Sequence, residues 1–189
     1  RQAAQSIPFS SHKFPEILNL FSIKPQSKEA FIMKKTIEAC EEPAKEGEDK
    51  YCATSLEGMV DFVASKLGKD VRAMASIKEA EDDHDRFLTI TAVKNMKGDD
   101  NNPIVSCHGI NYVYPVFYCH GFQEGTRVYE VPLAGAQGMV KAKANVVCHT
   151  NTSTWDPNHL SFQLLRVKPG TLPICHFLPE NNVVWATSA

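Results

Sequence analysis

Four Cys-His dipeptides lie in the second half of this chain: Cys107-His108, Cys119-His120, Cys148-His149 and Cys175-His176. With six Cys and seven His in 189 residues, chance placement would produce roughly 0.2 such neighbours. Adjacent side chains on a β-strand point to opposite faces of the sheet. A Cys and a His that adjoin on a strand are therefore poorly placed to bind one metal ion, and the repeat predicts two separate roles. Each Cys would anchor its strand, whereas each His would face a shared pocket.

The segment from Met139 to His149 is the clearest of these predicted strands. Val140, Ala142, Ala144 and Val146 share one parity, and Cys148 continues that apolar series. His149 continues the more polar series. The alternation predicts that Cys148 faces the core and that His149 faces away from it.

Imidazole groups suit Cu(II) and Zn(II), and to a lesser degree Ni(II) or Fe(II), and copper has the highest affinity of these. Residue chemistry alone leaves copper and zinc both open. The chain has no Cys-x-x-Cys pair, the usual sign of a zinc site built on Cys, so disulfides are favoured over thiolate ligands. The disulfide candidates are Cys40, Cys52, Cys107, Cys119, Cys148 and Cys175.

Six Cys allow about 15 pairings, and spacing alone does not choose among them. Cys40 and Cys52 flank a polar loop between two predicted helices. A bridge there would hold that loop in place.

The length indicates one domain over 1–189, and helical signals in the first half with strand patterns in the second indicate the α+β class. We expect N-terminal helices, within a helix-rich part at 1–102, to pack on a mainly antiparallel β assembly built by 103–189 and stapled by disulfides. Ser27 would cap a helix that runs towards Cys40. In TSLEGMVDFVASKLG, Thr54 and Glu57 form a capping box and Gly68 ends the helix; its apolar face would comprise Leu56, Met59, Val60, Val63 and Leu67.

Three further segments read as strands, at 87–93, 126–133 and 161–167. A loop is expected at 98–103, and the acidic run at 79–86 is read as solvated. The net charge of -2 and pI near 6.4 favour no nucleic-acid partner, and no apolar run is long enough for a membrane span. Because the chain opens on Arg1, we expect a processed precursor.

The spacing of the Cys-His pairs resembles that of the plant BURP domain. The resemblance extends to IPFSSHKFPEILNLFSI, to CEEPAKEGEDKYCATSLEGMVDF and to TSTWDPNHLSFQLLRVKPGTLPICHFLP, so it covers nearly the whole chain. It implies a plant precursor that is secreted to the vacuole, a seed storage compartment or the cell wall.

Some members of that family are copper-dependent peptide cyclases. They use O₂ to join a Tyr or Trp side chain of a ribosomally made core peptide to another residue. Carried over, the resemblance assigns copper to the four paired histidines, His108, His120, His149 and His176. Other members are known only as stress-responsive or wall-associated proteins, so a non-catalytic role with a structural Cys-His scaffold is the alternative.

The core peptide would be a partner either upstream in the precursor or on another chain, because the first Tyr here is Tyr51 and the first Trp is Trp155. His159 is a weaker fifth candidate for the metal or for proton donation, since a lone His is more often a structural hydrogen-bonding group. Tyr112, Tyr114 and Tyr118 are read as sheet packing, or as lining of the copper pocket. Three remaining predictions are simpler: Trp155 and Trp185 in the core, and His12 and His84 in solvent.

Overall fold

A computed structural model of the chain describes residues 6–45, 47–78, 87–97, 103–122 and 125–188. These residues form a 3₁₀ turn at Ser11–Lys13 and four α-helices: α1 Phe14–Leu20, α2 Lys28–Glu41, α3 Leu56–Leu67 and α4 Leu160–Leu165. The strands are β1 Glu48–Ala53, β2 Val71–Ala75, β3 Ile77–Lys78, β4 Thr89–Ile90, β5 Lys94–Lys97, β6 Ile104–Ile110, β7 Val116–Phe122, β8 Thr126–Ala134, β9 Val140–His149, β10 Ile174–Phe177 and β11 Asn182–Thr187.

The strands form two antiparallel sheets. Sheet A has the order β1-β7-β6-β11-β2, and sheet B has the order β10-β9-β8-β4, with β3 also paired to β9 and β5 to β8. Strands β1 to β5 come from residues 1–102, so the part of the chain that looks helix-rich also contributes to both sheets. The predicted α+β class, with helices on mainly antiparallel strands, is confirmed.

The two sheets pack face to face through one apolar cluster. Sheet A contributes Ile104 and Val184 to it, and sheet B contributes Val128 and Val147, all of them 2% exposed or less. Complete burial of such side chains stabilises the fold by about 1.5–3 kcal/mol each. This cluster fixes which face of each strand is internal.

Helix α3 covers the outer face of sheet A. Its Met59 and Val63 pack against Val105 and the Cys107–Cys119 bridge. The helix begins one residue later than the capping box predicts, because Ser55 rather than Thr54 is the N-cap and its hydroxyl oxygen accepts the Gly58 N–H at 3.0 Å. Leu56 and Val60, predicted on the apolar face, are largely exposed.

Helices α1 and α2 form a separate cluster beside the β6–β7 connection. Ile17, Met33 and Ile37 are its buried centre, and Tyr112 packs against it. The predicted cap of α2 is confirmed, since the Ser27 hydroxyl oxygen accepts the Ala30 N–H at 3.0 Å.

All six cysteines form disulfides, in the pairs Cys40–Cys52, Cys107–Cys119 and Cys148–Cys175. The first joins the end of α2 to β1, as predicted. The second and third link directly opposed residues of neighbouring strands, β6 with β7 and β9 with β10. Each of these two bridges therefore lies beside the histidines of its own pair of strands.

Two of the predicted strands are wrong in part or in whole. Only Thr89–Ile90 of the segment 87–93 pairs, with β8. The segment 161–167 is largely helix α4, because the His159 side chain caps it by accepting the Ser161 N–H. Its Leu164 and Leu165 are exposed, so no sheet covers them. The segment 126–133, by contrast, is confirmed as β8.

Three predictions concern residues outside the described ranges: His84, the run at 79–86 and most of the loop at 98–103. Of the helices that the structure describes, none combines the length and apolar character that a membrane span requires.

Candidate metal centre

The four paired histidines gather at one end of the space between the sheets. His108 and His120 come from β6 and β7 of sheet A, and His149 and His176 come from β9 and β10 of sheet B. Their ring centroids form a closed circuit, with separations of 5.2 Å (108–120), 6.5 Å (120–149), 5.7 Å (149–176) and 6.2 Å (176–108). Residues up to 68 positions apart in sequence thus form one cluster.

Strand alternation places each Cys and its neighbouring His on opposite faces of a sheet. In β9, however, His149 rather than Cys148 faces the space between the sheets. Val147 shares its parity with His149 and lies in the core between the sheets. His149 therefore faces inward, with 6% of its surface exposed, and Cys148 lies on the opposite face of sheet B. The prediction reversed these faces because the more apolar series of β9 lines the outer face of its sheet.

Burial favours the neutral form, which metal binding requires, at three of these imidazoles. Desolvation, together with the neighbouring His120 and His176, lowers the pKa of His108 to about 4. The same causes lower the pKa of His149 to about 3. His176 is the most exposed of the four, and its partial burial still lowers its pKa.

The two histidines of sheet A are in direct contact, and Asn182 supports one of them. Nε2 of His108 lies 3.0 Å from Nε2 of His120. On the other side of the ring, the side-chain nitrogen of Asn182 lies 2.8 Å from Nδ1 of His108. The Asn182 oxygen accepts the Gly109 N–H at 3.1 Å, which fixes the orientation of this buried amide.

A carboxylate lies behind the second histidine. Oε1 of Glu48 is 3.4 Å from Nδ1 of His120 and 3.4 Å from the Tyr118 hydroxyl, and its side chain is 5% exposed. Burial alone would raise the pKa of Glu48, but His120 and the Lys45 backbone N–H outweigh it and hold the pKa at about 2. Sequence reasoning missed both Glu48 and Asn182, because neither carries a motif and only strand pairing brings them to the histidines.

A cavity of about 360 Å³ opens beside the cluster. His120, His149 and His176 line it, together with Trp155 and His159. Trp155 therefore belongs to the cavity rather than to the core, and its ring contacts those of His149 and His159 at 5.1 and 5.0 Å. The volume accommodates an aromatic side chain next to the imidazoles.

One ring nitrogen of His159 already accepts a hydrogen bond. Its Nδ1 accepts the Ser161 N–H at 3.3 Å, so the neutral ring carries its proton on Nε2. That arrangement suits a hydrogen-bond donor to a bound molecule better than it suits a metal ligand.

The two histidines of sheet A are spaced as two ligands of one metal ion would be. At metal–nitrogen bonds near 2.0 Å, two ligands of one ion are separated by about 2.8–3.4 Å, and the 3.0 Å between the Nε2 atoms of His108 and His120 matches that separation. Among the described residues, no group of three or more His, Cys, Asp or Glu side chains is already close enough to hold an ion. His149 and His176 would therefore complete a site only after their rings move.

The structure separates the remaining sequence candidates. Tyr112 and Tyr114 pack edge to face with each other beside α1 and α2, whereas Tyr118 lines the cavity. Trp185 packs beneath α3 as a core residue. His12 is exposed in the N-terminal 3₁₀ turn.

Known proteins similar to this chain share one domain family. A family model described as the BURP domain matches residues 1–187. BURP domain protein RD22 of Arabidopsis thaliana is 52% identical over 186 residues, which are 98% of this chain and 47% of that protein. BURP domain-containing protein 3 of Oryza sativa subsp. japonica is 48% identical over 190 residues, covering 100% of this chain and 44% of that protein.

A wheat relative is more distant. Protein RAFTIN 1B of Triticum aestivum is 39% identical over 188 residues, which are 98% of this chain and 51% of that protein. The chain thus spans about half the length of these relatives.

Proposed function

The chain belongs to the BURP-domain family, and on that premise we propose that it is a copper-dependent oxidative peptide cyclase. It would use O₂ to form a macrocyclic crosslink from a Tyr or Trp side chain of a ribosomally made core peptide. The observation that carries the proposal is the convergence of His108, His120, His149 and His176, from two sheets, beside one cavity.

The four histidines would hold the copper, because their rings converge on one space and burial keeps His108 and His149 neutral. The chemistry that bound copper supplies is one-electron oxidation, with O₂ as the terminal oxidant. Closing the crosslink removes two hydrogens from the peptide, and their two electrons and two protons reduce O₂. All six cysteines are in disulfides, so no thiol would compete with the peptide as a reductant.

The cavity residues would position the peptide. Trp155 offers an aromatic face on which a Tyr or Trp ring could stack, and His159 offers its Nε2 proton to a peptide carbonyl. Holding the reacting side chains in one geometry is itself a large part of such catalysis.

The disulfides also support a proposal about the compartment. Three of them fit an oxidising environment, and we propose that the protein enters the plant secretory pathway and resides in the vacuole or outside the cell. The core peptide would come from an upstream part of the precursor or from another chain.

A non-catalytic role is the second candidate. It is favoured by the absence, among the described residues, of three ligands already assembled around one point. In that case the Cys-His pairs would serve only to staple a secreted stress- or wall-associated protein.

Reconstitution separates the two functions. The purified chain is loaded with Cu(II) in air and incubated with a peptide that contains Tyr or Trp. The mass of the product is measured by mass spectrometry. We expect a loss of two hydrogens that disappears in His149→Ala and persists in His12→Ala, a control that alters an exposed His outside the cavity lining. Stoichiometric binding of zinc without copper, or no peptide oxidation by the wild type, would overturn the cyclase proposal.

A further inference from the structure

The two histidines of sheet A have different polar neighbours on their outer sides. Behind His108 lies the amide of Asn182, and behind His120 lies the carboxylate of Glu48. An amide nitrogen can only donate a hydrogen bond, whereas a carboxylate only accepts. The neighbour of His108 therefore favours a lone pair at Nδ1 of that ring, whereas the neighbour of His120 favours a proton at Nδ1.

Asn182 has no freedom to reverse its amide group. Its oxygen accepts the Gly109 N–H at 3.1 Å, and rotating the amide would bring two N–H donors face to face at that contact. Its nitrogen thus donates to Nδ1 of His108 at 2.8 Å, which requires the lone pair of that ring to be on Nδ1. In a neutral ring the proton is then on Nε2.

Glu48 imposes the opposite state on its partner. Its buried carboxylate also receives the Lys45 backbone N–H at 3.0 Å and the Tyr118 hydroxyl at 3.4 Å, so its position is set from two further sides. Nδ1 of His120 faces it at 3.4 Å and is matched to it only when that nitrogen carries the proton. The lone pair of His120 is then on Nε2.

The contact between the rings agrees with this assignment. The two Nε2 atoms are 3.0 Å apart, the distance of an N–H···N hydrogen bond. Such a bond needs one protonated nitrogen and one lone pair, and the partners on the outer sides supply one of each.

We propose that Asn182 and Glu48 hold the paired histidines in opposite tautomers, so that His120 presents its Nε2 lone pair to a metal and His108 does not. His120 is the ring of sheet A that binds first. His108 joins only after its Nε2 proton leaves and its hydrogen bond from Asn182 is broken. Glu48 and Asn182 are thus positioning residues that act on metal affinity in opposite directions.

This inference rests on the proposed function only in taking the rings as copper ligands. The tautomers themselves are measured without any metal, by long-range ¹H–¹⁵N NMR of the chelator-treated protein. We expect Nε2–H for His108 and Nδ1–H for His120. Nδ1–H for His108, or Nε2–H for His120, would overturn the inference and leave the cyclase proposal intact.

Two isosteric variants test the consequence through Cu(II) affinity, measured by competition with a chelator. Asn182→Asp accepts from both Gly109 and His108, so it should move the His108 proton to Nδ1 and tighten Cu(II) binding by about 10-fold. Glu48→Gln should weaken binding by about 10-fold, at the lower end of the effect expected for partners of metal-binding histidines.

Added charge is controlled with Asn181→Asp. Asn181 is exposed and contacts the Gly109 carbonyl oxygen rather than His108, so this variant adds the same negative charge at the neighbouring position. An affinity gain in Asn182→Asp no larger than that in Asn181→Asp would contradict the proposal. A failure of peptide oxidation with both tautomers as expected would instead count against the cyclase function alone.

Discussion

At the scale of single residues, the burial of one valine in β9 determines which way a candidate metal ligand faces. Val146 and Val147 are adjacent and equally apolar, yet Val147 is completely buried between the sheets whereas Val146 is only partly buried. Because His149 shares the parity of Val147, packing of Val147 also turns His149 inward. The face of β9 that carries Val147 and His149 is therefore internal, and its more apolar face lies on the outside of sheet B.

This assignment predicts unequal effects of two similar truncations. Val147→Ala should lower the free energy of unfolding by about 2 kcal/mol, the contribution of two buried methyl groups with their cavity. Val146→Ala should cost less than about 1 kcal/mol. Denaturant unfolding of the two variants measures the difference, and a larger cost for Val146→Ala would show that the strand faces the other way.

At the scale of elements, a short strand of the first half contributes a side chain to the histidine cluster, although no sequence motif marks that side chain. Strand β1 pairs with β7 and places Glu48 beside His120. Its Lys50 donates to the Ala39 carbonyl oxygen at 2.7 Å and also to that of Glu42, which ties β1 to the end of α2. The Cys40–Cys52 bridge secures the same junction, so α2 holds the strand that carries the carboxylate.

The start of α3 offers a test at this scale. Ser55→Ala should lower the free energy of unfolding by about 1 kcal/mol, because the Gly58 N–H loses its acceptor. Thr54→Ala is the matched control and should have a much smaller effect, since Thr54 precedes the N-cap. Thermal or denaturant unfolding compares them, and a dominant effect of Thr54 would instead support the capping box predicted from sequence.

At the scale of the whole molecule, the candidate site exists only when both sheets are assembled. Each sheet contributes two histidines and one disulfide between the strands that bear them. Burial of His108 and His149 without charge makes stability depend on pH. In the unfolded chain the rings bind protons below their ordinary pKa of 6.5, whereas in the folded protein His108 and His149 remain neutral to about pH 4 and 3.

Stability of the metal-free protein should therefore be complete above about pH 6.5 and fall as the pH decreases towards 4. At pH 5 the unfolded state binds protons that the folded state does not, and the loss is about 2 kcal/mol per buried ring. The depressed pKa of Glu48 adds a further loss below its ordinary pKa of 4.5. Denaturant unfolding of chelator-treated protein at pH 7.5, 6 and 5 measures this; equal stability at all three values would contradict it.

Much of this protein was determined by local patterns in the sequence. Spacing of the Cys-His pairs identified the four histidines and the family resemblance. Alternation in β9 separated Cys148 from His149, although it reversed which of the two faces inward. The capping of α2 by Ser27 was also predictable, because the hydrogen bond joins residues three apart. Such features depend on neighbours along the chain, and the sequence contains them directly.

Only the tertiary structure decided which face of each strand is internal, which Cys pair, and which groups stand behind the histidines. Glu48 reaches His120 across 72 positions, and Asn182 reaches His108 across 74. No local pattern marks these contacts, because they arise from the pairing of β1 with β7 and of β11 with β6. The residues that would bind metal are recognisable one by one, whereas the protons they carry are set by partners that only folding brings near.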